Sequence, residues 1–520
     1  MDNPLLKDFE FTQPWLSVFA LSNLILFLSC IGIIIYLALR RPESFARPSS
    51  IISILAIILY QLPLVLFSPL IYNYLPNARW FALSINFAVI SNLLWVAVTP
   101  NLNMKFASYN KEINELRADF SGPIFWLPIL LLCTLLVSYF YKIPFDCTAL
   151  YALFVDQDLT LLVREITGKL MGRTYAPHVL NMITGAVGPI VAFLAAGRLY
   201  ISFLEKKWAH ILLWLCLLLL TIIIPLLGGA KGAFVPMGVV MVITGALIAR
   251  NWKERVFIVG SVIIVLMSMI MVVKVAQESK VGKGNYRFSA CVMRLGVCDR
   301  TEVLLNSLKL PKDYYGMSRE RIDQLEQEIE SDCKITAIEA QEPGQVQNIN
   351  NSQYAEKTIA THIKGLFYRI LANPLQVASW HYLYVSEYGK PGLAGLALAK
   401  IFTDNYVSIP AKVCEVYYSG DKTSACTAPT GYFFTYPAYL GIVGLLSAFL
   451  LTVAFDIIGA LVIKYLPYNF SSLAIGLMAV ASLNFMVADF TTVIISHGAG
   501  MAIWLLAALC LYHRSKRSRS

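Results

Sequence analysis

Eleven apolar runs, at about 15–39, 51–73, 80–99, 123–141, 177–204, 209–227, 233–249, 256–274, 437–463, 470–489 and 496–512, are each long enough to cross a bilayer. Nothing constrains this chain more. A segment in hydrocarbon must satisfy its own backbone N–H and C=O groups, so runs of this length without strand-like alternation read as helices. Composition agrees, with 57% hydrophobic and only 14% charged residues. The expected fold is therefore an all-α, polytopic integral membrane protein with about 11 transmembrane helices. Its parts are an N-terminal bundle of about eight helices over 1–274, a large outward loop with interfacial helices over 275–436, and C-terminal helices with a basic tail over 437–520. Asp2, Lys7, Asp8 and Glu10 precede the first run and Arg40 and Arg41 follow it, with no small-residue cleavage site, so it reads as an anchor and not as a signal peptide.

Lys and Arg in short connections set orientation. The alternate segments 40–50, 100–122, 205–208, 250–255, 464–469 and 513–520 hold 16 basic against 6 acidic residues, which is the whole net charge of +10. They read as cytoplasmic, which places the N-terminus in the periplasm and the C-terminus in the cytoplasm of a bacterial inner membrane. Topology thus accounts for the basic balance, and a nucleic-acid partner is not expected; Arg514–Arg519 reads as an anchor at the membrane edge. Cysteines divide the same way. Cys30, Cys133, Cys216 and Cys510 lie in apolar runs, whereas Cys147, Cys291, Cys298, Cys333, Cys414 and Cys426 lie in segments read as outward, where disulfides can persist. Cys291–Cys298 and Cys414–Cys426 are the favoured local pairings, with free thiols as the alternative.

Lys231 is the most informative single residue. It lies in Leu227-Gly-Gly-Ala-Lys-Gly-Ala-Phe234 between two spans, with no acidic residue between Glu205 and Glu254 to neutralise it. A cation there is costly unless it binds an anion, and the flanking glycines allow close approach. Segment 142–176 carries more outward cations: Leu162, Ile166 and Leu170 recur on one helical face while Arg164, Lys169 and Arg173 fall on others. It reads either as an ordinary lipid-surface helix or, with Lys231 and Arg369, as a clamp for a diphosphate.

The outward loop is too long for a plain connection. Ser318–Glu330 reads as an amphipathic surface helix, and Glu342–Asn351 as a loop. From Thr361 onward, Leu366, Phe367, Ile370 and Trp380-His-Tyr-Leu-Tyr-Val385 interleave with Lys364, Arg369 and His381 as a helix lying in the outer interface. In Thr427–Pro437 the residues Pro429, Gly431 and Pro437 oppose a regular helix, which suggests either a re-entrant wall with Tyr432 and Tyr436 facing a ligand or a kinked helix start. Asp456, Asp489 and His497 are intramembrane or edge polar groups without identifiable partners, and Arg198 reads as a snorkelling cation near the inner end of its helix. No Walker loop, GxGxxG, HExxH, GxSxG or CxxC motif occurs. Asp156-Gln-Asp158 has the form of a metal pair but lies outside, so neither a metal nor another cofactor is expected.

The Gly-x-Lys-Gly turn, Leu366-Phe-Tyr-Arg-Ile-Leu-Ala-Asn-Pro-Leu375 with Trp380-His-Tyr-Leu-Tyr384, and Thr427-Ala-Pro-Thr-Gly-Tyr432 before Tyr439-Leu-Gly-Ile-Val-Gly444 resemble, in that order, the bacterial O-antigen and oligosaccharide repeat-unit polymerases of the Wzy type. The likeness covers roughly 150–450 and departs in the cysteine-bearing loop. It implies a GT-C-like glycosyltransferase that moves a glycan from undecaprenyl diphosphate onto the next lipid-linked repeat unit at the periplasmic face. The implied partners are those lipid-linked oligosaccharides, the bilayer and a chain-length regulator protein. Carried across, Lys231 and Arg369 hold the donor diphosphate, with Arg164, Lys169 and Arg173 beside them. His381 is the residue chosen as acceptor-activating base, since histidine titrates near neutrality and sits here among aromatics. His178, Tyr382, Tyr432 and Tyr436 complete the expected substrate contacts, and His362 is a weaker candidate. Two other functions share these features: an O-antigen ligase, and a flippase, although the chain lacks the paired inverted halves usual in transporters.

Overall fold

The computed structural model describes residues 18–102, 120, 125–155, 163, 176–228, 234–249, 252–256, 259–262, 264, 327, 372–402, 406–419 and 428–517. All secondary structure among them is helical. The helices used below are α1 (Val18–Arg40), α2 (Pro48–Leu66), α3 (Ser68–Tyr74), α4 (Ala78–Val98), α5 (Trp126–Lys142), α6 (Ala149–Val155), α7 (Ala176–Met182 continuing to Leu204), α8 (Trp208–Ile223), α9 (Phe234–Ile248), α10 (Asn373–Tyr388), α11 (Ile409–Cys414), α12 (Tyr432–Leu440), α13 (Ile442–Tyr465), α14 (Tyr468–Val487), α15 (Phe490–Ile495) and α16 (Ala499–Arg517).

Seven of the described helices are long and apolar enough to span a membrane, and α5, Pro236–Ile248 and Ala499–His513 are shorter apolar helices. The chain is thus a polytopic membrane protein. The run at 256–274 and the loop over 275–371 fall almost wholly outside the described residues. Burial ranks the spans: 83% of the window in Asn469–Val487 is buried inside the protein, against 17% in Val18–Arg40, so α14 is central and α1 peripheral. α14 carries no charged residue, which allows its burial on nearly every face.

Three breaks separate the observed helices from the expected runs. The run at 51–73 is interrupted at Phe67, ahead of Pro69, and divides into α2 and α3. The run at 437–463 begins instead at Ile442, because Gly441 takes φ +65° and ends the short helix α12. α7 contains a π turn over Ile183–Val187, where a Cβ on Gly185 would lie 2.5 Å from the carbonyl oxygen of His497, so only glycine permits that approach.

α9 and α14 run antiparallel in close contact. Thr244 Oγ1 donates to the carbonyl of Ser472 at 3.4 Å, and a Cβ on Gly476 would lie 3.0 Å from the carbonyl oxygen of Val240. The Phe234 end of α9 therefore lies at the Val487 end of α14. The same end of the bundle carries α10 and α12: Phe81 near the start of α4 meets Tyr382 edge-on at 5.0 Å, and Trp80 Nε1 donates to the carbonyl of Pro437 at 3.2 Å.

Near the opposite end, Arg47 immediately precedes α2 and is buried. Its guanidinium pairs with Asp456 of α13, which also accepts from Trp95 Nε1 at 3.0 Å and from the backbone N–H of Ser49 at 3.0 Å. Arg47 belongs to the segment read as a positively charged cytoplasmic connection. Its charge is instead spent inside the bundle, on the partner that Asp456 requires. Arg198, expected to snorkel, stands 5.0 Å from the centre of the Phe125 ring.

Candidate functional site

The α10 end of the bundle holds the described part of the expected site. Asn373–Tyr388 is helical, yet it does not lie on the surface as an interfacial helix would. Leu375, Ala378, His381, Tyr382 and Val385 are buried, and α10 packs against α12, α11 and the π turn Ile57–Gln61 of α2. The apolar face that suggested headgroup contact is satisfied by neighbouring helices instead.

His381 is fully buried. Its Nε2 lies 2.8 Å from the carbonyl of Ala428, which can only accept, so Nε2 carries the proton. Nδ1 must then accept from the Tyr439 hydroxyl at 2.7 Å. Burial pushes the imidazole down to about 4, with the Ala428 bond opposing it. Both ring nitrogens are committed and no edge reaches a ligand. In this geometry His381 joins α10 to α12 and is not poised to take a proton from an acceptor.

Tyr432 and Tyr436 also depart from the expected role. Every residue from Tyr432 to Tyr439 is buried, so α12 is a short helix enclosed within the bundle. The Tyr432 hydroxyl bonds Thr452 Oγ1 of α13 at 2.5 Å, and that of Tyr436 meets Thr491. Neither phenol faces an open site. A bulky aromatic near the end of an apolar run signals depth but not direction, and here the direction is inward. Tyr382 is buried against Phe81. His178 lies in the first turns of α7, and its side chain is outside the described residues.

Lys231, Arg369, Arg164, Lys169, Arg173, Cys291, Cys298 and Cys426 lie outside the described residues. The flanks of Lys231 and of the 159–173 segment are described and converge. The turn Ile224–Gly228, just before Lys231, packs against α6, which leads into the 159–173 segment, and against Ala176–Met182, which follows it. Cys414 and Cys147 are each disulfide-bonded, whereas Cys30, Cys133, Cys216 and Cys510 are in no disulfide.

Two features take roles that the sequence did not assign. The first is Asp489. Its carboxylate accepts from the backbone N–H of Thr491 at 2.9 Å and caps α15, with the amides of Thr492 and Ala397 also nearby. It is half-buried beside Tyr436, and desolvation by burial raises its pKa above the ordinary carboxylate value against the pull of those donors. Its signal was an acid directly after an apolar run with Thr two residues later. The second is a shelf of aromatics on the outer part of α10. Tyr384 and Tyr388 stack with centroids 4.7 Å apart, Trp380 stacks on Tyr417, and the Tyr417 hydroxyl donates to Glu387 at 2.7 Å. Glu387 and Tyr388 are exposed. The exposed Tyr388 ring beside an oriented carboxylate suits a ligand rich in C–H faces and hydroxyls.

No protein-family model, curated protein or solved structure matches this chain.

Proposed function

We propose that this protein is a membrane glycosyltransferase that polymerises undecaprenyl-diphosphate-linked oligosaccharide repeat units at the periplasmic face of the bacterial inner membrane. The observation that carries this reading is the α10 shelf, where the exposed Tyr388 ring, stacked on Tyr384, stands beside the exposed carboxylate of Glu387 and so gives a sugar a ring and a hydrogen-bond acceptor. The same end receives the flanks of the basic segments, and disulfides at Cys147 and Cys414 accord with an oxidising compartment.

In this reading the bond from the donor sugar's anomeric carbon to the diphosphate oxygen breaks, and a bond forms from that carbon to an acceptor hydroxyl. The diphosphate departs with the electron pair, neutralised by Lys231 and Arg369, with Arg164, Lys169 and Arg173 in support. The acceptor proton goes to a carboxylate. Asp489 is the group assigned to it, because its raised affinity for protons makes it a stronger base than an exposed aspartate. His381 is retained as the residue that positions α10.

Purified protein supplied with synthetic undecaprenyl-diphosphate repeat units should lengthen the glycan without nucleotide. Lys231→Ala should abolish elongation while the protein stays inserted and folded, and Lys231→Arg should recover only part of it, because a planar fork differs from a point charge. Wild-type protein that carries the labelled lipid across liposomes but never lengthens it would be a flippase. Transfer only onto lipid A core would make it a ligase.

A further inference from the structure

α1, α3 and α4 enclose a groove of about 680 Å³ at the α10 end of the bundle, separate from the aromatic shelf. Its size falls within the roughly 300–1,000 Å³ usual for clefts that hold a small molecule. The walls are apolar: Phe19 meets Tyr72 across one end at 5.2 Å, and Leu26 and Leu83 continue along the helices. Val18 and Leu83 of the lining are 85% and 50% exposed, so the groove opens on the apolar outer surface of the bundle.

Two polar features do not fit a purely apolar crevice. Arg79 stands exposed at the mouth with no hydrogen bond or ion pair to any described residue. The floor is formed by Asn23 and Asn86, which are 2% and 3% exposed. They belong to a buried ladder in which Gln61 Nε2 donates to Asn86 Oδ1 at 2.8 Å, and Asn86 Nδ2 donates to Asn23 Oδ1 at 2.9 Å. Gln61 is supplied by the π turn of α2, a kind of irregularity common at functional sites. Because Asn23 Oδ1 is the acceptor in this ladder, its Nδ2 ends the ladder as a donor with two hydrogens. Among the described residues it donates to Ser68 Oγ alone, at a long 3.5 Å, which leaves its second hydrogen for another acceptor. Amide donors of this kind inside a membrane are costly unless something accepts from them.

We propose that this groove is a binding site for one glycerophospholipid, with its phosphate on Arg79, an ester carbonyl accepting from Asn23 Nδ2, and an acyl chain along Phe19, Leu26 and Leu83. Asn23 lies about a turn and a half along α1 from Val18, so donor and cation are stacked along the helix axes as phosphate and ester are along a lipid. Charge and chemistry select this occupant over a polyprenyl diphosphate. One guanidinium matches the single negative charge of a phosphodiester, and an isoprenoid chain has no carbonyl to offer the amide. The site does not depend on the glycosyltransferase reading.

Native mass spectrometry of the full chain released from detergent tests it, alongside Arg79→Gln and Leu83→Trp. Leu83 is 50% exposed, so its replacement fills the groove without invading the core. Wild-type protein should retain one phospholipid, and after delipidation it should rebind phosphatidylglycerol with a rise in melting temperature. Arg79→Gln should weaken rebinding at least tenfold, and Leu83→Trp should abolish it. Equal retention in all three proteins, a wild type that neither retains nor rebinds phospholipid, or retention of polyprenyl diphosphate in its place would each overturn the proposal.

Discussion

Asp456, in the second half of the α13 span, is met by Arg47 from the start of α2, and the pair is sealed from solvent. Trp95, Ser49 and the Thr99 carbonyl, which accepts from Arg47 at 2.9 Å, take up further hydrogen-bonding capacity of the two groups. Three helices distant in sequence are thereby tied at one point, α2 and α4 to α13. A buried pair of this kind fixes geometry more than it adds net stability, whereas removing one partner strands the other charge.

Asp456→Asn or Arg47→Met alone should therefore destabilise the protein by about 3–5 kcal/mol. The double variant Arg47→Met with Asp456→Leu should recover most of that loss. Thermal unfolding in detergent checks this, and a double variant no better than the worse single one would show that the pair does more than cancel its own charges.

Tyr439→Phe removes the hydroxyl that donates to His381 Nδ1 and leaves a buried acceptor unmet, at a cost of about 1–3 kcal/mol. The loss should appear as a lower melting temperature even where activity per folded molecule is kept. Loss of activity with unchanged melting would return His381 to a direct chemical role.

His381 also predicts an acid limit. Its pKa is depressed from 6.5 to about 4 in the folded protein, so the folded state binds fewer protons than the unfolded one. Its stability contribution is complete above about pH 6.5 and is lost as pH falls towards 4, by up to roughly 3 kcal/mol at about 1.4 kcal/mol per unit. Melting temperature measured across that window should fall for wild type and flatten for His381→Phe, from its lower starting stability.

Asp489 shifts the other way. An acid limb on the rate of glycan elongation should fall above the 3.8 of an unperturbed aspartate, because the ionised form is the one that accepts the proton. Asp489→Asn should lower the rate by about 10²–10⁴-fold, the usual contribution of a positioned base. Unimpaired elongation by that variant would remove Asp489 from the chemistry and leave it as the cap of α15.

Cysteine chemistry offers a further check. In protein denatured without reductant, Cys30, Cys133, Cys216 and Cys510 should react with a maleimide, and Cys147 and Cys414 only after reduction. Labelling of Cys414 before reduction would contradict its disulfide.

The sequence determined by itself that this is a polytopic helical membrane protein, because runs such as 437–463 and 470–489 have no other way to satisfy their backbone in lipid. It also separated cysteines in apolar runs from those outside them, and it marked Asp456 and Asp489 as polar groups in need of an explanation. What it could not supply was direction. Apolar periodicity in α10 and aromatics in α12 record that a surface is covered, not whether lipid, ligand or another helix covers it; helix packing turned His381, Tyr432 and Tyr436 inward. Partners were equally hidden, since the pairing of Arg47 with Asp456 joins segments that only the folded bundle brings together, and local sequence carries no trace of a contact made at such separation.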